Sequence, residues 1–276
     1  MKVKRNEPIA FSILIISIAF LVSLIVIVLP VYKIFEQAFQ KGFSGYWNAL
    51  VDLELLSSLR LSLIVMAIVV TINTIFGLAA AWYVTRFGKR IRGLLEVLLE
   101  LPFSVSPVVA GMIFILLFGS SGFLGSFLKD SNVQIIFALP GVILATTFVT
   151  LPFVAKELIP LMDELGTEME EAAIVLGANG WHMFTRITLP SIKWGLIHGI
   201  IMCTARSMGE FGAVSVVSGH IRGQTVTMPL HIEILYNEYE FVASFAAATI
   251  LGIAAFAATV FKILVSRAQK NQLRKS

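Results

Sequence analysis

Long apolar stretches alternate with short polar segments along the chain. The first stretch runs from Ile9 to Leu29 without a charged residue. Crossing a hydrocarbon core of about 30 Å takes roughly 20 helical residues, and an apolar stretch of about 18 or more is typical of a span. The pattern therefore predicts six membrane-spanning helices, at residues 9–29, 61–85, 101–118, 133–155, 192–218 and 241–261.

The composition agrees with this pattern. Hydrophobic residues make up 57% of the 276 residues and charged residues 14%, whereas a soluble domain carries about 25% charged residues. The predicted fold class is an all-α polytopic membrane protein. A secretory signal peptide is the alternative for the first stretch, but the apolar stretch exceeds a signal core of roughly 7 to 15 residues and no small-residue cleavage site follows it. We expect an uncleaved anchor helix.

Basic residues cluster in alternate hydrophilic segments, which predicts the orientation because Lys and Arg in short loops resist translocation. The predicted cytoplasmic segments are the two termini and the loop after the second span, so the N- and C-termini lie on the same side. The net charge of +4 is then explained by topology, and no nucleic-acid partner is expected. The basic residues concerned are Lys2, Lys4, Arg5, Arg86, Lys89, Arg90, Arg92, Arg267, Lys270, Arg274 and Lys275.

The segment between the fourth and fifth predicted spans, residues 160–190, is polar and interrupted, and we call it the polar loop. Glu170 and Glu171 begin a predicted short helix, where acids are favourable at the N-terminus. Gly177 and then Gly180 supply backbone freedom for a turn. A second short helix is predicted from Trp181 to Leu189, with Trp181, Phe184 and Ile187 on one side, and Pro190 is expected to stop it. An acidic end beside an apolar face suits docking into a groove on another protein.

An amphipathic connector lying on the bilayer surface is the alternative for the polar loop. Such a helix normally carries Lys and Arg on its polar face, because the inner leaflet is negatively charged. Between residues 163 and 171 the loop has acids and no base, and this mismatch of sign favours a protein partner. The acids are Asp163, Glu164, Glu168, Glu170 and Glu171.

The predicted fifth span carries two opposite charges, Arg206 and Glu210. A charge in the middle of the membrane costs about 2.5–3.5 kcal/mol on insertion scales and usually faces a partner or a water-filled cavity. The two residues are four positions apart, so they are expected to pair on one face of the helix. Arg206 is predicted to lie about midway along this span. Either Arg206 faces a water-filled cavity, or the pair is structural.

Small residues also mark this span. Gly195 and Gly199 form a G-x-x-x-G pattern, and Gly209 continues the stripe on about the same face. Such a stripe allows close helix packing, which is its usual role, although a pathway role is the alternative. For His198 we expect packing or an interhelical hydrogen bond rather than proton transfer.

Sequence signatures of catalysis are missing from the chain. Cys203 is the single cysteine, and we find no metal-ligand spacing, no G-x-S-x-G and no phosphate-binding loop. We therefore expect no catalytic site, metal or cofactor on this chain.

The residue pattern of the polar loop resembles the EAA signature, which is found in permease subunits of binding-protein-dependent ABC importers. The resemblance covers about residues 57–262 and includes the proline-rich "LPFSVSPVVAGMIF". The segment "ARSMGEFGAVSVVSGHIRGQTVTMPLHIEILYNEYEF", residues 205–241, resembles the sulfate and thiosulfate importers, although molybdate permeases share "GEFGA". The matching motif residues are Glu171, Ala172, Ala173, Gly177, Ile187, Leu189 and Pro190.

The resemblance implies a type I ABC importer permease fold in a bacterial cytoplasmic membrane. The short helices that carry the motif residues would be coupling helices, which contact two ATPase subunits. The ATPase subunits would hold the ATP and Mg. A second related permease and an extracytoplasmic sulfate- or thiosulfate-binding protein are the other implied partners. The pathway would involve Arg206, Gly209 and Glu210. The implied division of the chain is an anchor and external segment at 1–56, a core permease domain at 57–266 and a basic tail at 267–276.

Two other classes of protein compete with this interpretation. A secondary anion transporter is expected to carry repeated halves with discontinuous helices, and no internal repeat is visible in the sequence. A membrane enzyme would need a catalytic cluster. The substrate alternative within the same class is molybdate or tungstate.

Overall fold

A computed structural model describes residues 9–88 and 90–273, with side chains for 13–88 and 90–267. Every regular element in these ranges is helical, and two short π-helical turns, Leu24–Val28 and Phe184–Thr188, join α-helices end to end. The α-helices are α1 (Ile9–Ser23), α2 (Leu29–Ala38), α3 (Gly42–Leu50), α4 (Leu53–Arg86), α5 (Arg92–Ser104), α6 (Pro107–Phe118), α7 (Gly125–Asp130), α8 (Leu139–Thr150), α9 (Pro152–Leu165), α10 (Glu168–Val175), α11 (Gly180–Met183), α12 (Leu189–Met208), α13 (Gly212–Val217), α14 (Met228–Asn237) and α15 (Phe241–Leu273).

Five helical runs in the described ranges are long and apolar enough to cross a membrane, and a bent pair makes a sixth candidate. The third predicted span, 101–118, is wrong as a single kinked helix, because α5 and α6 meet at an angle of 104°. Ser106 is extended, with φ −58° and ψ 133°, as expected for a residue before a proline. The five runs are Ile13–Ala38, Leu53–Arg86, Leu139–Leu165, Gly180–Met208 and Phe241–Arg267.

The first span lies at the edge of the protein. None of its most apolar window is buried within the chain, and its second half, α2, packs against α15. At the other end of the chain, α15 continues through the predicted boundary at residue 267. The predicted basic residues at positions 2, 4, 5, 89, 274 and 275 lie outside the described residues.

The centre of the fold is the contact of α4, α9 and α12, where Val84, Leu158 and Ile192 are buried together. Two glycines predicted to allow close packing do so. A Cβ added at Gly195 would lie 2.4 Å from a side-chain carbon of Leu161, and one at Gly199 would lie 3.2 Å from the backbone of α9. Close approach of helices is how membrane bundles gain packing energy.

The predicted fifth span is wrong beyond its first two-thirds. Helix α12 ends at Met208, so Arg206 lies in its last turn and not midway along a longer helix. Gly209 follows, and glycine costs about 1 kcal/mol in a helix interior. The Glu210 carboxylate then accepts a hydrogen bond of 2.9 Å from the backbone N–H of Ala213, at the start of α13. The chain therefore begins a new helix here.

Candidate functional site

The polar loop contains the two short helices predicted for it, α10 and α11. Gly177 lies between them with φ +87°, and a Cβ added there would meet no atom within 4 Å. The glycine is therefore required by the backbone conformation and not by crowding. Gly180 begins α11, where the side chain of Asn179 accepts a hydrogen bond of 2.8 Å from the N–H of His182. This contact caps the helix.

The prediction that Pro190 stops the second short helix is wrong. The π-helical turn Phe184–Thr188 leads directly into α12, so that Gly180–Met208 is one helical run. A proline removes one backbone donor and crowds the preceding turn. Because Pro190 lies in the first turn after the wider π-helical turn, the helix continues through it.

Exposed apolar side chains cluster on α10, α11 and the turn between them. Val175 and Leu176 are each 87% exposed, and Ile174, Met169 and Trp181 are also exposed. The predicted apolar face is only partly correct, since Phe184 and Ile187 are half-buried and Phe184 packs against Trp82. A contiguous exposed apolar patch marks an interaction site. We call these five exposed side chains the loop tip.

Arg86, the last residue of α4, joins the polar loop to the spans. Its guanidinium donates to Glu170 through Nε at 2.6 Å and through Nη2 at 3.4 Å. It also donates to the carbonyls of Met162 at 3.3 Å and Gly166 at 2.9 Å. Glu170 accepts a further hydrogen bond of 2.7 Å from the hydroxyl of Thr188. The two charged side chains are each 9% exposed, so the pair is largely shielded from water.

This cluster, which we call the Arg86 anchor, was missed by the sequence analysis. The sequence indicates only a topology role for Arg86, and for Glu170 a favourable acid at the start of a short helix. The two are 84 residues apart, so no local spacing connects them. The anchor joins α10 to α4, to the end of α9 and to the π-helical turn. Separating these elements would leave a charged side chain buried without its partner, which is unfavourable.

Glu171, the acid of the predicted motif, differs from its neighbour. It is exposed, and its carboxylate accepts only a local hydrogen bond of 2.7 Å from the hydroxyl of Thr167. Ala172 is exposed beside it, whereas Ala173 is buried. The motif therefore presents a carboxylate to solvent on a helix that is anchored from behind. Of the remaining motif positions, Ile187 and Leu189 are half-buried and Pro190 is exposed.

The predicted pair of Arg206 and Glu210 is present, with Nη1 and Oε2 2.7 Å apart. The contact is an ion contact rather than an aligned hydrogen bond. The Arg206 side chain is 34% exposed and that of Glu210 is 1% exposed. Gly209 is exposed between them. Glu210 thus both pairs with Arg206 and caps α13, while the guanidinium keeps an open side.

Arg222 lies in the segment between α13 and α14, on the opposite side of the protein from the polar loop. It forms ion pairs with Glu54 at the start of α4 and with Glu238. The hydrogen bond to Glu238, with the nearby Glu54 carboxylate, raises the pKa of Arg222. Nearby, burial lowers the pKa of His231 on α14. The contacts of Arg222 hold the start of α4 against the loop between α13 and α14.

Comparison with known proteins places this arrangement in a family. Residues 73–270 match the family model described as binding-protein-dependent transport system inner membrane component. The chain belongs to this family. The resemblance to permease subunits of binding-protein-dependent importers is therefore confirmed. The matched range includes the polar loop and the Arg86 anchor.

Individual relatives and a solved structure agree with the family. The chain is 46% identical over 261 residues to "Sulfate transport system permease protein CysW" of Escherichia coli (strain K12), covering 95% of this chain and 90% of the relative. It is 32% identical over 227 residues to "Sulfate transport system permease protein CysT" of the same strain, covering 82% of each. A chain in the crystal structure of a bacterial alginate ABC transporter, in complex with alginate pentasaccharide-bound periplasmic protein, matches with a TM-score of 0.77 at 17% identity over 94% of each chain. The predicted type I ABC importer permease fold is confirmed.

Proposed function

We propose that this chain is a membrane-spanning permease subunit of an ATP-driven sulfate or thiosulfate importer. The observation that carries the proposal is the 46% identity to a sulfate permease over 95% of this chain. The geometry of the polar loop supports it, because an exposed carboxylate and an exposed apolar tip stand on an anchored helix. The molybdate alternative and the secondary-transporter alternative are not favoured by these relatives.

The partners follow from the same arrangement. A second, related permease completes the pathway, and the CysT relative is the kind of chain expected there. A binding protein delivers the anion from outside. ATPase subunits bind the loop tip and Glu171 from the cytoplasm, and they hold the ATP and Mg. The apolar loop tip suits a groove on such a subunit, since an amphipathic helix docks by its apolar face. The permease itself performs no hydrolysis.

In the proposed orientation both termini and the polar loop lie in the cytoplasm. Arg86 and Arg92 lie at the same side as the polar loop, as their contacts with Glu170 and Asp163 require. Clustering of basic residues at this side agrees with the bias against translocating Lys and Arg.

Uptake of labelled sulfate tests the proposed function directly. A strain that lacks this chain is expected to lose saturable uptake, and the intact chain is expected to restore it. Deleting the ATPase subunit from the complemented strain should abolish uptake again. Excess unlabelled thiosulfate in the assay measures whether both anions share the route. Uptake that persists without the ATPase would contradict the proposal and favour a secondary transporter.

In this importer Arg206 is the proposed pathway residue, with Gly209 and Glu210 beside it. A doubly negative anion that leaves water loses hydration worth many kcal/mol, so its route needs water or a positive group. Arg206 keeps about a third of its side chain open while Glu210 holds it from the buried side. A guanidinium held in this way supplies positive potential at the break between α12 and α13.

Substitution at Arg206 distinguishes this role from a structural pair. Arg206→Gln is expected to reduce sulfate uptake about tenfold or more, because a hydrogen bond to a charged group contributes about 1.5–3 kcal/mol. Glu210→Gln is expected to do less harm, since the amide oxygen of Gln can still cap α13. Uptake and complex assembly are measured for both variants and for the double variant. If the double variant restores uptake and assembly together, the pair is structural and Arg206 does not serve the anion.

A further inference from the structure

Helix α3 lies in the connection between the first two spans. The first span ends at Ala38 and the next begins at Leu53, so residues 39–52 join them. A turn at Gly42, with φ +72°, separates α2 from α3. Because α4 runs from this connection to the Arg86 anchor, α3 lies on the side of the membrane opposite the polar loop. A helix tied between the ends of two spans is held close to the membrane surface.

A contact with α15 indicates the depth of α3. The hydroxyls of Tyr46 and Thr249 share a hydrogen bond of 2.9 Å, and α3 packs against α15. The span Phe241–Arg267 has 27 residues, which is about 40 Å of helix, whereas the hydrocarbon core is about 30 Å thick. With the span centred, the core begins about 5 Å inside its Phe241 end, and Thr249 lies about 12 Å inside that end. Helix α3 therefore lies at the level of the bilayer boundary and not far beyond it.

Three arcs of side chains run around α3, since successive residues of a helix are about 100° apart. Phe43 and Trp47 form one arc, with side chains 69% and 54% exposed and rings stacked at 6.3 Å between centroids. We call these two residues the aromatic edge. Ser44 and Asn48 form an exposed polar arc beside it. The third arc is half-buried against the protein and consists of Gly45, Tyr46, Ala49 and Leu50.

Lipid fits the aromatic edge better than water or another protein chain does. Aromatic rings are enriched where acyl chains meet headgroups, and a helix bound there turns its apolar face to lipid and its polar face to water. The neighbouring first span continues this surface, since none of its most apolar window is buried within the chain. Two side chains are also far fewer than the roughly 20–30 residues that each side of a protein interface contributes.

We infer that α3 is an interfacial helix whose aromatic edge inserts into the boundary between headgroups and acyl chains, on the membrane surface opposite the polar loop. Ser44 and Asn48 then face the headgroups and water. Because α3 contains no charged residue, its insertion relies on apolar contact and not on anionic lipid. Through Tyr46, the helix holds α15 at a fixed depth in the bilayer. This role goes beyond the proposed function, since it does not depend on which anion is carried.

Spin labels on α3 test this inference in the assembled complex, reconstituted in phosphatidylcholine vesicles. Starting from Cys203→Ala, which removes the single cysteine, nitroxide labels are attached to Phe43→Cys and to Trp47→Cys. Ser44→Cys and Asn48→Cys, each one residue further along the same helix, are the matched controls. Collision with oxygen, which dissolves in lipid, is compared with collision with a nickel chelate, which stays in water. The oxygen-to-nickel ratio at the aromatic edge is expected to exceed that at the controls about threefold or more, because an inserted apolar face lies several ångströms deeper.

Two results would overturn the interfacial helix. Strong collision with the nickel chelate at all four positions would place the aromatic edge in water. Weak collision with both reagents at Phe43 and Trp47 would show that a protein chain, such as the second permease, covers them. Each position is labelled in its own variant, so the result does not depend on how one substitution folds.

Sulfate uptake by the same strains separates these outcomes from failure of the proposed function. If uptake proved independent of this chain while labels on the aromatic edge still met oxygen, the substrate assignment would fail and the interfacial helix would stand.

Discussion

Replacing Glu170 by glutamine is expected to abolish uptake while the spans remain inserted. The substitution keeps the size of the side chain and leaves Arg86 without its counter-charge, with both groups shielded from water. Removing one partner of a buried pair costs about 3–5 kcal/mol, which corresponds to a factor of a hundred or more in the fraction of anchored loop. A loop that is no longer held to α4 and α9 is not expected to transmit movement of the proposed ATPase partner to the spans.

Uptake, ATPase activity in vesicles and protease sensitivity of the polar loop measure this effect. Glu168→Gln is the matched control, since Glu168 is an exposed acid in the first turn of the same helix. The double variant Arg86→Gln with Glu170→Gln should lose less than the two single losses combined, because neither charge is then left alone. A Glu170 variant that transports as well as the control would show that the Arg86 anchor has no part in coupling.

Glu171→Lys is expected to detach the ATPase subunit without disturbing the fold. Glu171 is exposed and makes only its local bond with Thr167, so little stability within this chain depends on it. Loss of one partner in a charged interface pair can cost about 2–5 kcal/mol, roughly a factor of 30 or more in binding. Retention of the ATPase on the solubilised permease and sulfate uptake are the measurements. Glu168→Lys is the control with the same change of charge.

Gly177→Val should also abolish uptake, for a different physical reason. A β-branched residue at φ +87° is strained even in open space, because its Cβ collides with its own backbone. The turn between α10 and α11 would change, and the loop tip would no longer be presented beside Glu171. Normal ATPase retention in both the Glu171 and the Gly177 variants would contradict the docking role of this segment.

The spans were predictable because apolar length is a local property of the sequence. The helix ends near proline and glycine were harder to predict. The helix is broken before Pro107 but continues through Pro190, and the difference is the π-helical turn Phe184–Thr188 that leads into Pro190. The sequence likewise does not show the end of α12 at Met208, because the spacing of Arg206 and Glu210 indicates only their pairing, whereas Glu210 also accepts a hydrogen bond at the start of the next helix.

The candidate site was predicted in part. The motif identified Glu171 and Gly177, because a spaced signature can be read along one segment. It gave no indication of the Arg86 anchor, whose members come from α4, α10 and the π-helical turn and meet only in the folded chain. The exposed Val175 and Leu176 could have been noticed as large apolar residues next to a glycine turn.

The continuity of the helix through Pro190 has a mechanical consequence. The run from Gly180 to Met208 has 29 residues, which gives it a length of about 43 Å at 1.5 Å per residue. One end carries Trp181 of the loop tip, and the other ends at Gly209 beside Arg206. A tilt of about 10° about the loop-tip end would displace the far end by about 7 Å. We therefore expect motion at the loop tip to reach the break between α12 and α13 along a single helical run, with the π-helical turn Phe184–Thr188 as its one irregular segment.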